Sequence, residues 1–148
     1  MKTKNTINNL LWEIIRLQFV RSHELFEVYG LHPGQPPLLM CLYHENGLSQ
    51  SVLASRLYVK PSTITVMIKR LENSGMVYKQ VDENDKRICR TFLSEKGYTT
   101  CKALEKLYEQ NELLYNNNLS IEEQVLLKRL LMQVRDNLHQ CEGDDKND

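Results

Sequence analysis

A chain of 148 residues with a formal net charge of zero is long enough for one domain with a real core and too short for two ordinary ones. The polar opening and the lack of any apolar run of membrane-spanning length predict a soluble, cytosolic protein without a signal peptide. Cys41, Cys89, Cys101 and Cys141 and the four histidines show no metal-ligand spacing, and no paired carboxylates, nucleophile arrangement or phosphate loop is present, so no cofactor, metal or catalytic site is expected.

Asn5 to Gly30 reads as one long helix in which Ile7, Leu10, Leu11, Ile14, Leu17, Phe19, Val20, Leu25, Phe26 and Tyr29 offer more apolar surface than one stripe against one small domain needs. The excess points to a second copy of the chain. The proline-rich Leu31 to Pro37 cannot be helical throughout, and Leu38 to His44 is expected as a short buried helix closed by Gly47. Ser49 can cap a further short helix carrying Val52, Leu53, Ala54 and Leu57 inward, followed by a brief turn at Tyr58 to Lys60. Pro61 to Gly75 has the ends of a helix, a proline suited to the first turn and a glycine suited to the close. Its buried stripe is Ile64, Met67, Ile68 and Leu71, and its other side carries Ser62, Thr63, Thr65, Val66, Lys69, Arg70 and Asn73. Two helices joined by so short a turn make a helix-turn-helix, and short hydroxyls followed by cations suit the DNA major groove and its flanking phosphates.

Met76 to Val81 and Ile88 to Leu93 are β-rich runs around the polar Asp82 to Lys86, hence a hairpin, and the unit is a winged helix-turn-helix. At its tip Asp85 precedes Arg87 by two residues, a spacing that lets the carboxylate hold the guanidinium and aim it at a minor groove. The zero net charge hides an asymmetry: Ser49 to Gly97 holds nine Lys or Arg against five acids, and the remainder is acidic by the same margin. A basic module on an acidic support is the footprint of a DNA binder.

After Gly97 the pattern returns to helix, with Leu104, Leu107, Tyr108, Leu114 and Tyr115 as a stripe, until Asn116 to Asn118 interrupt it. Ser120 and Glu123 form a capping box that opens a last helix bearing Ile121, Val125, Leu126, Leu127, Leu130, Leu131, Val134 and Leu138, ahead of a polar tail from Cys141 to Asp148.

The helix-turn-helix followed by NSGMVYKQVDENDKRICRTFLSEKG is similar to the MarR family of bacterial transcriptional regulators, most closely from His32 to Gly97. The resemblance implies a mainly α fold with a β-hairpin wing in a single domain, residues 31–97 forming the DNA-binding lobe and residues 5–30 and 98–141 the dimerisation region. It further implies a homodimer on a pseudo-palindromic double-stranded operator, usually a repressor, released by a small aromatic or anionic effector or by thiol oxidation. On this reading Ser62, Thr63, Thr65 and Val66 face bases, Lys69 and Arg70 hold phosphates, Arg87 positioned by Asp85 enters the minor groove, and Lys79, Lys86 and Arg90 add backbone contacts. By the same analogy Phe19, His23, Met40, Tyr43, His44 and Tyr108 are the candidate effector residues. The sequence departs from the family pattern at Tyr58, where a glycine is common in the turn, at Val66, where an arginine is common, and at Ser94, in place of the usual threonine. The rival readings are a winged-helix protein-interaction adaptor and a regulator sensing oxidation through Cys89, which lies among basic residues.

Overall fold

The computed structural model, which describes residues 6–144, begins with α1 (Ile7–Val28), capped where the Thr6 hydroxyl accepts from the Asn9 amide at 3.2 Å. The expected start at Asn5 lies outside the described residues. The chain falls into two compact units, Met1–Tyr108 and Glu109–Asp148.

In the first unit α2 (Gln35–His44) begins three residues before the expected Leu38. Pro36 and Pro37 fall in its first turn, where a missing N–H removes no intrahelical bond, so the prolines start the helix instead of excluding it. Gln35 closes the preceding loop by accepting the His32 amide at 2.8 Å. Next come a two-residue strand β1 (Leu48–Ser49), α3 (Gln50–Leu57), α4 (Pro61–Asn73), β2 (Val77–Val81), β3 (Cys89–Leu93) and α5 (Glu95–Tyr115). The sheet is antiparallel in the order β1-β3-β2, with Gln80 and Ser49 both in register with Arg90. The expected two-stranded hairpin is thus the larger part of a three-stranded sheet.

The core gathers Leu38, Leu39 and Leu42 from α2, Leu53 and Ala54 from α3, Ile64, Ile68 and Leu71 from α4, Met76 and Val77 ahead of and in β2, Leu93 from β3 and Leu104 from α5. Burying each of the larger aliphatic side chains contributes about 1.5–3 kcal/mol against exposure, which is what draws three short helices and a small sheet together. Val52, expected inward, is 38% exposed. The inward stripe of α3 runs through Leu53, Ala54 and Leu57, and a residue one position off it is rotated by about 100° toward solvent. Gly75, at φ +73, takes the left-handed turn after α4. Gly97 lies inside the first turn of α5, where Ser94 Oγ accepts its amide at 3.0 Å, so the helix starts ahead of the glycine. A Cβ at Gly97 would stand 2.0 Å from the Met76 carbonyl oxygen, so only glycine lets α5 approach β2 this closely.

In the second unit α5 ends at Tyr115, Asn118 turns the chain at φ +64, and α6 (Ile121–Asp144) begins at a reciprocal cap. The Ser120 amide donates to Glu123 Oε2 at 2.8 Å and the Glu123 amide to Ser120 Oγ at 3.2 Å. Helix continues through Asp144, past the expected polar boundary at Cys141; residues 145–148 lie outside the described residues. Ile121, Val125, Leu126, Leu127, Leu130, Leu131 and Leu138 of α6 are exposed, as are Ile7, Leu10, Trp12, Ile14, Ile15, Leu17 and Val20 of α1. No described helix is long and apolar enough to cross a membrane.

Candidate nucleic-acid interface

The helix-turn-helix is built by local chemistry. Ser49 Oγ accepts the Val52 amide at 3.4 Å to cap α3, Tyr58 takes the left-handed conformation at φ 53, and the Val59 amide returns to the Ala54 carbonyl at 3.1 Å. The tyrosine therefore makes the turn a glycine would make, at the steric cost of a side chain in that region. Pro61 then opens α4 with no side-chain cap needed. Arg56 Nη2 meets Glu45 Oε2 at 2.5 Å and ties α3 to the residue that ends α2.

With Ile64, Ile68 and Leu71 buried, α4 presents Ser62, Thr63, Thr65, Val66, Lys69 and Arg70 to solvent on one outward surface. Val66 is 50% exposed, an apolar contact surrounded by hydroxyls and cations. The Thr65 hydroxyl lies 3.0 Å from the Pro61 carbonyl and 3.3 Å from Gln50 Oε1. Gln50, the first residue of α3, thus belongs to the same surface, although no sequence pattern marked it.

At the wing tip Asp85 grips Arg87 three times: Oδ1 accepts both the backbone amide and Nε, and Oδ2 accepts Nη2, each at 3.0 Å. The pairing holds the Asp85 carboxyl below the usual carboxylate range and the guanidinium above its usual value, so both stay charged. The Arg87 side chain nevertheless stays 90% exposed, a cation stiffened at its base and open to a ligand. Lys86 beside it is exposed. Lys79 and Arg90 are placed differently from these. Lys79 Nζ meets Glu72 Oε2 at 3.1 Å, joining β2 to α4. Arg90 binds Asp82 through Nε and donates from Nη1 to the Gly47 carbonyl at 3.0 Å. Both cations are engaged within the lobe, which the sequence could not reveal because their partners are set by tertiary register.

Among the six candidate effector residues the rings of Phe19 and His23 lie 5.9 Å apart and those of Tyr43 and His44 6.1 Å apart. Phe19 and His23 line a cavity of about 550 Å³ with Phe26, Glu27, Leu31 and His32. His23 Nε2 stands 3.0 Å from Glu27 Oε1. Met40 is buried in the core, because α2 is enclosed on nearly all sides. Tyr43 packs against Tyr98 and donates to Glu105 Oε2 at 3.2 Å; burial, and then this carboxylate, push its phenol up to about 12. His44 and Tyr108 are exposed and line no part of that cavity. Of the cysteines, Cys101 is buried with its thiol 3.5 Å from the Leu39 carbonyl, and burial pushes it up to about 12, which keeps it protonated. Cys89 is half-buried, and the arginines near it in sequence are engaged by Asp85 and Asp82.

A helix-turn-helix with an exposed polar and basic second helix, flanked by a wing that projects a braced arginine, is the surface of a DNA-binding transcriptional regulator. Comparison with known proteins makes the assignment specific: residues 31–89 match the MarR family model, and the chain belongs to the MarR family. The chain is 30% identical to the HTH-type transcriptional regulator YdgJ of Bacillus subtilis (strain 168) over 77% of its own length and 70% of that protein's. It is 31% identical to YybA of the same organism, another HTH-type transcriptional regulator, over 76% of its length and 75% of that protein's. Among solved structures it is similar to the transcriptional regulator SlyA at a TM-score of 0.85 and 26% identity, covering 92% of this chain and 96% of that one. The Staphylococcus aureus MepR–DNA complex shares the fold at a TM-score of 0.83 and 22% identity, covering 93% and 99%.

Proposed function

We propose that this regulator binds a pseudo-palindromic operator as a homodimer in the cytoplasm and represses transcription by occupying it. In this reading the N-terminal part of α4 enters the major groove, where Ser62, Thr63 and Thr65 offer hydrogen bonds and Val66 touches thymine methyl groups but cannot pair with guanine. Lys69 and Arg70 hold phosphates, and Arg87 enters the neighbouring minor groove, where narrow A·T stretches attract arginine. The observation that carries the reading is the Asp85–Arg87 fork, which holds an arginine whose side chain is 90% exposed on the same lobe as the exposed polar and basic surface of α4. A solvated turn has no need of a cation held at three points.

Dimerisation is supported by the apolar residues left exposed on α1 and α6. Two copies joined by these helices would place two α4 helices about 34 Å apart, one turn of DNA. Release by a small aromatic or anionic effector is supported by the cavity beside Phe19 and His23. Such a ligand acts by binding better to the state whose α4 spacing misfits the operator. The test is Arg87→Ala, measured by fluorescence anisotropy on a duplex that the wild-type protein enriches from a random-sequence pool. Operator affinity should fall at least about tenfold, or about 1.4 kcal/mol, with the dimer intact by light scattering. An unchanged dissociation constant would remove the wing from the mechanism.

A further inference from the structure

We propose that Arg90 is a positioning residue of the wing: it ties Asp82 to the Gly47 carbonyl and thereby fixes Arg87 for DNA without itself touching a phosphate. The inference rests on the DNA-binding reading above and concerns how the wing is aimed.

Arg90 lies on β3, the central strand, in register with Ser49 on one side and Gln80 on the other. Its guanidinium therefore reaches both flanks of the sheet. Nη1 takes the Gly47 carbonyl in the connection before β1, and Nε takes Asp82 at the end of the β2 side. The other oxygen of Asp82 organises the tip, accepting the Asn84 amide at 2.8 Å and the Asp85 amide at 3.0 Å. Asp85 in turn grips Arg87. A series of hydrogen bonds thus runs from the connection before β1 to the exposed arginine. The Asp82 side chain is only 10% exposed, and its carboxyl is drawn down to about 2 by Arg90 first and then by the two amides, so it stays a charged acceptor across the physiological range.

The same geometry argues against the simpler role of a phosphate contact. The Arg90 charge is already matched by Asp82, and to reach a phosphate it would have to abandon two acceptors that hold the wing together. Toward its tip the hairpin has solvent on one side, Gln80 and Val81 of β2 being exposed. A two-point clamp across the sheet ties that end to the connection before β1, and arginine is suited to it because its fork addresses two acceptors at once.

The test is a double-mutant cycle on the full chain, with affinity read on the duplex enriched by the wild-type protein. Arg90→Lys keeps the positive charge but cannot hold Asp82 and Gly47 together. It should weaken binding about tenfold in the otherwise wild-type chain and no more than about twofold when Arg87 is already alanine, because its effect passes through Arg87. Asp82→Asn, which cuts the other end of the clamp, should repeat the pattern, with both variants melting cooperatively. Wild-type affinity for Arg90→Lys, or losses from Arg90→Lys and Arg87→Ala that multiply, would overturn the positioning role and mark Arg90 as an ordinary phosphate contact. If Arg87→Ala itself binds normally, both the wing contact and this inference fall. If no duplex is enriched at all, the DNA-binding reading fails with them.

Discussion

The lobe from α2 to the start of α5 and the helices α1 and α6 treat apolar side chains in opposite ways. In the lobe Leu38, Leu39, Leu42, Leu53, Ile64, Ile68 and Leu71 are fully buried by their own chain, and the outward surface of α4 carries Ser62, Thr63, Thr65, Val66, Lys69 and Arg70. On α1 and α6 most of the large hydrophobic residues are exposed, Ile7 at 68% and Ile121 at 75% among them, while Leu25 and Phe26 of α1 pack against the lobe core. Apolar residues exposed in such number along one helix are unusual on a surface that meets only water. The lobe closes its core within one chain and turns a polar, basic surface outward, whereas α1 and α6 leave apolar faces open, the faces on which the proposed dimer would form.

That contrast can be broken first from the side of the lobe. Gly97→Val places branched carbon against the Met76 carbonyl and should cost at least about 3 kcal/mol, the upper end of overpacking penalties, read as loss of a cooperative urea transition. A normal transition would mean that α5 can stand off from β2 without harm. From the side of the terminal helices, charging α6 with Leu126→Glu and Leu130→Glu should leave the lobe folded and raise the dimer dissociation constant at least about tenfold, measured by sedimentation. An unchanged sedimentation profile would place the interface elsewhere. The smallest effect belongs to the wing. Because the folded value of Asp82, about 2, lies below the usual carboxylate value near 3.9, its clamp stabilises the wing above pH 4 and is lost as the pH falls through 2. A carboxyl-carbon NMR titration should therefore give a midpoint near 2, and a midpoint near 3.9 would deny the clamp.

What the sequence revealed of this follows the range of its signals. Local chemistry was readable: the Pro61 start of α4, the Ser120–Glu123 box and the Asp85–Arg87 spacing depend on residues within four positions of one another. Features set by register were not. β1 is two residues long and carries no alternation to read, and Asp82 meets Arg90 only because the hairpin folds back on itself. Glu72 meets Lys79 across the boundary between α4 and the sheet, a pairing no helix periodicity predicts. Among the candidate effector residues Met40 and Phe19 look alike as apolar letters, and only the enclosure of α2 puts one in the core and the other beside a cavity.

The most direct test of the account is binding selection from genomic fragments with the purified full chain at two salt concentrations. It should enrich an inverted repeat with half-sites about one helical turn apart, with affinity falling steeply as salt rises through release of counterions from contacted phosphates. Enrichment of single half-sites without a paired repeat would contradict the dimer, and no enrichment at either salt would contradict the DNA-binding surface and favour the protein-interaction reading.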